Sequence, residues 1–169
     1  MRLFFALWPD DGVRAQLVDW SRALHAVCGG RPVRREKLHL TLAFLGKVDD
    51  VRVADVERAA DVVIPRAIPL VLDQPGYWKD KRIAWAGASA VPAKLETLVA
   101  ELRGALANSR IRFDAKAFVS HVTLLRDARE PRAMLALPPI DWKLDGFALV
   151  RSVTLAQGSE YRVRKAWRL

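Results

Sequence analysis

The hydrophobic and polar positions of this chain switch repeatedly between a period near 3.6 and a period near 2, which predicts helices alternating with strands. Arg2–Trp8 is an almost unbroken apolar run and reads as a buried strand ended by Pro9. Asp10 or Asp11 can cap a helix with Val13, Leu17, Trp20, Leu24 and Val27 on its apolar face, stopped at Gly29-Gly30. A basic loop, Arg31–Lys37, leads into a strand at Leu38–Leu45 that ends at Gly46. Asp49 or Asp50 is placed to cap a second helix with Val53, Val56, Ala60 and Val63 inward. Ile68, Leu70 and Leu72 alternate as a strand running into a Gln74-Pro75-Gly76 turn, and Arg82–Gly87 is a further strand. The clearest helical period starts near Pro92 and carries Leu95, Leu98, Val99, Leu102 and Leu106. Phe118–Arg126 reads as a strand. After a Pro131–Pro139 connector two more are expected, Phe147–Leu155 and Tyr161–Leu169, joined at Gln157-Gly158-Ser159. In the last of these, Tyr161, Val163, Trp167 and Leu169 are expected to share a face.

Within this pattern the order strand, helix, strand occurs twice, from Leu3 to His39 and from Ile83 to His121, at nearly the same spacing. A period of about half the chain predicts two related lobes within one domain spanning 1–169. Each repeat closes on a histidine. The two settings are Leu38-His39-Leu40-Thr41-Leu42 and Ser120-His121-Val122-Thr123-Leu124, in a chain with only three histidines and four threonines. Strand side chains i and i+2 project together, so each strand offers an imidazole beside a hydroxyl while its apolar neighbours pack the other way. Brought together across one cleft, the pairs suit phosphodiester hydrolysis. One neutral imidazole takes a proton from water and the other, protonated, gives one to the departing oxygen. The hydroxyls can donate to the phosphate oxygens.

Composition adds to this picture in three ways. Lys and Arg outnumber Asp and Glu by 28 to 19, for a formal charge of +9, which favours an anionic partner. Twenty of the basic residues are Arg, whose planar fork of donors matches phosphate, although a GC-rich coding sequence produces the same bias. Cys28 is the only cysteine, so no internal disulfide forms; this fits a reducing, cytoplasmic setting, and the residue is expected to pack rather than react. No apolar run is long enough to span a bilayer, and the short Leu3–Trp8 run has the wrong shape for a secretory signal. Two imidazoles with no second cysteine and no acid on the same strand faces make a poor zinc site, so neither metal nor cofactor is expected. His25 reads as a surface residue, and a monomer is the default.

The segments His39-Leu40-Thr41-Leu42-Ala43-Phe44-Leu45-Gly46 and His121-Val122-Thr123-Leu124-Leu125-Arg126 resemble the two-histidine phosphoesterase superfamily, in particular its RNA 2′,3′-cyclic phosphodiesterase (2′-5′ RNA ligase) branch. The start, Arg2–Pro9, and the end, Tyr161–Leu169, are similar to that branch as well, so the likeness covers the whole chain. The resemblance implies a bilobal α+β fold with pseudo-two-fold symmetry, antiparallel sheets flanking a central cleft and helices outside. It implies metal-independent hydrolysis of a 2′,3′-cyclic phosphate on RNA or a nucleotide to a 2′-phosphate. His39 would protonate the leaving 3′ oxygen, His121 would activate water, and Thr41, Thr123 and Arg126 would hold the phosphate. Strict alternation turns Arg126 away from His121, so it reaches that phosphate only if the strand ends, twists or bulges. Phe44, a candidate for stacking on a base, stands in the same relation to His39, and core packing is expected of it. The loop Arg31–Lys37 could guide an RNA backbone. Two other readings use the same residues: 2′-5′ RNA end ligation or another cyclic phosphodiester as substrate, and a basic RNA-binding module without catalysis.

Overall fold

The computed structural model describes residues 1–169. The first strand, β1 (Arg2–Leu7), is buried on both faces, with Leu3, Phe5 and Leu7 in the main core and Phe4 and Ala6 in a small second cluster. Helix α1 (Asp11–Cys28) starts where the Asp10 carboxylate accepts from the Val13 N–H at 2.8 Å and ends at Gly29, which has φ 59°. Its buried stripe is Val13, Arg14, Leu17, Trp20, Ser21, Leu24 and Cys28, whereas Val27 is exposed. The expected face holds at Val13, Leu17, Trp20 and Leu24 and differs only at its last position, where Cys28, i+4 from Leu24, meets the core in place of Val27.

The segment expected to be a free basic loop is partly ordered. Arg31–Pro32 forms a short strand, β2, and Arg35–Lys37 a turn of 3-10 helix. β3 (Leu40–Lys47) follows. Neither Asp49 nor Asp50 caps the next helix through its side chain; a 3-10 turn at Asp50–Arg52 leads into α2 (Val53–Asp61), and Asp50 pairs with the N-terminal amine instead. β4 (Ile68–Leu72) alternates as expected. The Gln74-Pro75-Gly76 stretch read as a turn begins a strand, β5 (Gln74–Trp78), which lies at a sheet edge where proline is tolerated. A Cβ at Gly76 would collide with the Trp85 ring, so only glycine fits beneath it. β6 (Ile83–Gly87), α3 (Ala93–Asn108) and β7 (His121–Arg126) complete the second repeat. A strand absent from the sequence reading, β8 (Ile140–Leu144), pairs with β4 as a separate ribbon. β9 (Gly146–Leu155) and β10 (Gly158–Arg168) form the closing hairpin.

The remaining strands form one antiparallel path, β10-β9-β1-β3-β7-β6-β5, with β2 alongside β7. The two sheets expected to flank the cleft are the halves of this path, which meet at a single paired rung, Leu40 opposite Val122. The helices cross over. α1, from the first repeat, packs against β6 and β7, and α3, from the second, packs against β3. One core cluster of 40 residues therefore runs through both halves. No helix is long and apolar enough to cross a membrane.

Candidate active site

The rung Leu40–Val122 lies between the two histidine motifs, so joining the half-sheets there brings the motifs to one place. His39, Thr41, His121, Thr123 and Arg126 all line a single cleft of about 810 Å³. Its other walls hold Arg2, Arg31, Arg34, Lys37 and Lys81, and no Asp or Glu lines it. No three His, Cys, Asp or Glu side chains gather anywhere in the chain where they could share a metal ion.

Each imidazole is anchored in the same way. Nδ1–H of His39 donates to the Lys37 carbonyl at 2.6 Å, and Nδ1–H of His121 donates to the Val119 carbonyl at 2.9 Å. A carbonyl only accepts, so this bond fixes the proton on Nδ1 of the neutral ring and leaves Nε2 as the acceptor nitrogen. In the first motif, Thr41 Oγ1 lies 3.1 Å from His39 Nε2 and donates to it.

The surroundings then differ. His39 is walled by aromatic rings: Phe4 at 4.8 Å, Tyr161 at 5.4 Å edge-on and Trp8 at 6.0 Å nearly parallel. His121 has one such neighbour, Trp78 at 4.6 Å. Burial is the main force on both rings and favours the neutral form. It pushes His39 down to about 4, with His121, Arg126 and Arg14 adding to the effect. His121 is lowered too, first by burial and then by Lys81 and Arg126.

The parity problem of Arg126 is resolved by a bulge. Along β6 and β7, Trp85 faces Thr123 but Ala84 faces Leu125, so Leu124 is an extra residue. Leu124 and Leu125 are both buried and Arg126 returns to the cleft side with His121. The first motif repeats this. Ala6 faces Thr41 and Phe5 faces Ala43, leaving Leu42 extra, and Phe44 turns to the cleft. Phe44 is therefore not core: it is 41% exposed, with the Arg2 guanidinium 5.9 Å from its ring centre. Phe44 and Arg126 occupy matching places, each five residues after its histidine. Arg103 from α3 holds the first bulge by donating from Nε and Nη2 to the Leu42 carbonyl at 3.2 and 3.1 Å.

Of the Arg31–Lys37 segment, Arg31, Arg34 and Lys37 reach the cleft, whereas Arg35 turns away toward Asp11. Close packing fixes this segment: a Cβ on Gly30, which has φ 82°, would stand 2.5 Å from the Arg126 carbonyl. In β10 a further bulge at Arg164 reverses the expected face, so Tyr161 packs in the cleft-side cluster with Phe4 while Trp167 packs in the main core. Leu169 is exposed. The sequence reading passed over Trp78, Lys81, Phe4 and Tyr161. Strand pairing brings Trp78, Phe4 and Tyr161 to the cleft and the β5–β6 turn brings Lys81, and single-strand periodicity contains neither.

A duplicated α+β fold that sets two His-x-Thr strands across one cationic, acid-free cleft defines a two-histidine phosphoester site. The family model described as LigT like Phosphoesterase matches residues 7–85. The chain is 35% identical to the RNA 2′,3′-cyclic phosphodiesterase of Escherichia coli (strain K12), over 99% of this chain and 96% of that protein. It is 34% identical to the protein of the same name from Thermus thermophilus, over 100% and 90%. The crystal structure of E. coli LigT complexed with 3′-AMP superposes with a TM-score of 0.88 at 32% identity, covering 99% of this chain and 97% of that one. The chain belongs to the RNA 2′,3′-cyclic phosphodiesterase branch of the LigT-like phosphoesterases.

Proposed function

We propose that this protein hydrolyses the 2′,3′-cyclic phosphate at RNA ends to a 2′-phosphate, using His39 and His121 as an acid and base pair and no metal. One observation carries the reading: two imidazoles, each tied off at Nδ1 by the carbonyl two residues before it, share a cleft whose charged walls are all basic. The names of the relatives and the 3′-AMP complex of the E. coli protein support the substrate class.

In this reading the cyclic phosphate monoanion sits among Arg126, Thr41 and Thr123. His121, the less enclosed ring, takes a proton from water through Nε2. The water oxygen bonds to phosphorus and the bond from phosphorus to O3′ breaks. His39 gives its Nε2 proton to O3′, leaving a 3′-hydroxyl and a 2′-phosphate. His39 is neutral in the empty cleft. Its low-dielectric setting makes it the ring most responsive to an incoming negative charge, because Coulomb energies grow as solvent is excluded. The substrate therefore loads its own acid. The proton taken by His121 and the one given by His39 are exchanged with solvent between turnovers.

The test is hydrolysis of a 2′,3′-cyclic nucleotide and a cyclic-ended oligonucleotide in excess chelator, with the product identified. A 2′-phosphate released at an undiminished rate supports the reading; loss of turnover in chelator, or RNA binding without product, sinks it. A lone, buried Cys28 supports a reducing, cytoplasmic location and the cleft needs no second subunit, which supports a monomer.

A further inference from the structure

Arg14 lies in the apolar stripe of α1 with 6% of its surface exposed, and no carboxylate forms an ion pair with it. Burying a guanidinium without a directly paired carboxylate is unfavourable even with Asp11 and Glu36 nearby, and an apolar side chain of similar size at such a site is often neutral or stabilising. Fold stability alone therefore does not account for an arginine here. Its contacts all lead toward one side chain. Nε donates to the Pro9 carbonyl at 3.1 Å and Nη1 to the Arg35 carbonyl at 2.6 Å, while the guanidinium carbon stands 4.8 Å from the centre of the Trp8 ring. Trp8 in turn stacks on His39. Arg35 opens the 3-10 turn that ends at Lys37, whose carbonyl holds His39 Nδ1.

We propose that Arg14 is a positioning residue for His39, fixing the imidazole through the Trp8 ring and the Arg35–Lys37 turn and keeping a permanent positive charge behind it. Arg14 is not part of the cleft lining, so it acts on His39 without touching substrate. A fixed cation behind a buried imidazole disfavours its protonated form until an anion arrives in front. Arg14 thus adds to burial, His121 and Arg126, which act more strongly, in making the proton on His39 conditional on an occupied cleft. The other titratable or charged groups facing His39 are His121 and Arg126 from β7, the Tyr161 phenol from β10, and Lys37, whose ammonium is turned toward Ser159 and the Tyr161 ring. Asp11, Glu36 and Arg35 lie around Arg14 itself. His121 has no counterpart: the cation at its tryptophan is Lys81, which lines the open cleft.

The inference rests on the acid role proposed for His39, so His39→Ala is run beside it. Arg14→Met and Arg14→Lys are compared with the unaltered protein for hydrolysis of a 2′,3′-cyclic nucleotide, and His39 is titrated by NMR with and without inorganic phosphate. Arg14→Met is expected to lower kcat about 10- to 100-fold with KM little changed, and to raise the His39 midpoint in the phosphate-free protein. Arg14→Lys should keep that midpoint low and recover part of kcat, because an ammonium keeps the charge but not the fork that spans two carbonyls. Trp8→Leu is the second variant, and stays informative if Arg14→Met does not fold. It should lower kcat and move the His39 midpoint. Unchanged kcat in Arg14→Met, or a fall in kcat with the His39 titration unmoved in both variants, overturns the inference. Full activity in His39→Ala would instead overturn the acid role beneath it.

Discussion

His39 and His121 stand at matching points of two related half-sheets, each tethered through Nδ1 to the carbonyl two residues before it, yet their surroundings are unlike. Three aromatic rings and the buried Arg14 enclose His39, whereas His121 has one ring and a solvent-side lysine. Duplication accounts for the shared anchoring. The difference lies in what covers each ring, and cover decides how strongly an imidazole feels a charge placed next to it. A symmetric backbone with asymmetric cover is what a reaction needing one acid and one base requires.

The largest effect tests whether that asymmetry assigns roles. His39→Ala and His121→Ala should each lose about 100- to 10,000-fold in kcat while keeping a cooperative unfolding transition. A substrate with sulfur in place of the 3′ bridging oxygen leaves without a proton, so it should restore His39→Ala far more than His121→Ala; equal restoration would reverse or erase the distinction. Next in size is the difference at matching positions five residues after each histidine. In the proposed reading Arg126 gives the phosphate charge-assisted bonds, so Arg126→Ala should cost about 10- to 100-fold in kcat/KM. Phe44→Ala should leave turnover of a cyclic phosphate lacking a base much closer to that of the parent protein.

Acidity gives a smaller, graded contrast. His39 is held near 4 in the folded chain against an ordinary 6.5, so between those values the unfolded chain binds more protons than the folded one. Stability is retained above about 6.5 and falls as the pH drops toward 4. His39→Gln should flatten that part of a chemical-denaturation profile, and an unchanged slope would show that His39 is not the buried group. In the proposed mechanism bound substrate raises the affinity of His39 for its proton, so the optimum of kcat should lie at higher pH than that of kcat/KM. The smallest effects belong to the hydroxyls. Thr41→Val and Thr123→Val should each reduce kcat/KM about 2- to 10-fold, measurable against the same substrate.

Much of this architecture is legible in the residues. Three helices, the repeat and both His-x-Thr strands follow from periodicity and spacing, because burial acts locally on each element. β8 was legible but masked: Ile140, Trp142 and Leu144 alternate plainly behind a proline-rich connector. β5 was misread because Pro75 and Gly76 usually mark turns, whereas here one sits at an edge and the other makes room for Trp85. Arg14 left a trace as a cation among Leu17, Ser21, Leu24 and Cys28, at spacings that belong to the buried stripe. The bulges left only the broken alternation at Arg126, which required an end, a twist or a bulge without saying which. They record a mismatch between two strands, and neither strand shows it alone.

Those extra residues have a consequence for how the gene can change. Removing Leu124 would leave Trp85 opposite Thr123 and Ala84 opposite Leu125, and removing Leu42 would leave Ala6 opposite Thr41 and Phe5 opposite Ala43. Against β1 and β6 every other strand residue would keep its partner and its face, at the loss of one buried leucine, some local twist and one carbonyl bond on the far side: Arg103 to Leu42, or the Val33 N–H to Leu124. A three-nucleotide deletion that would scramble most strands is thus absorbed at these two places. Over descent, the interval from each histidine to the residue aimed at the cleft is free to shrink from five to four. An ungapped comparison would then place Arg126 or Phe44 one column away from its true counterpart.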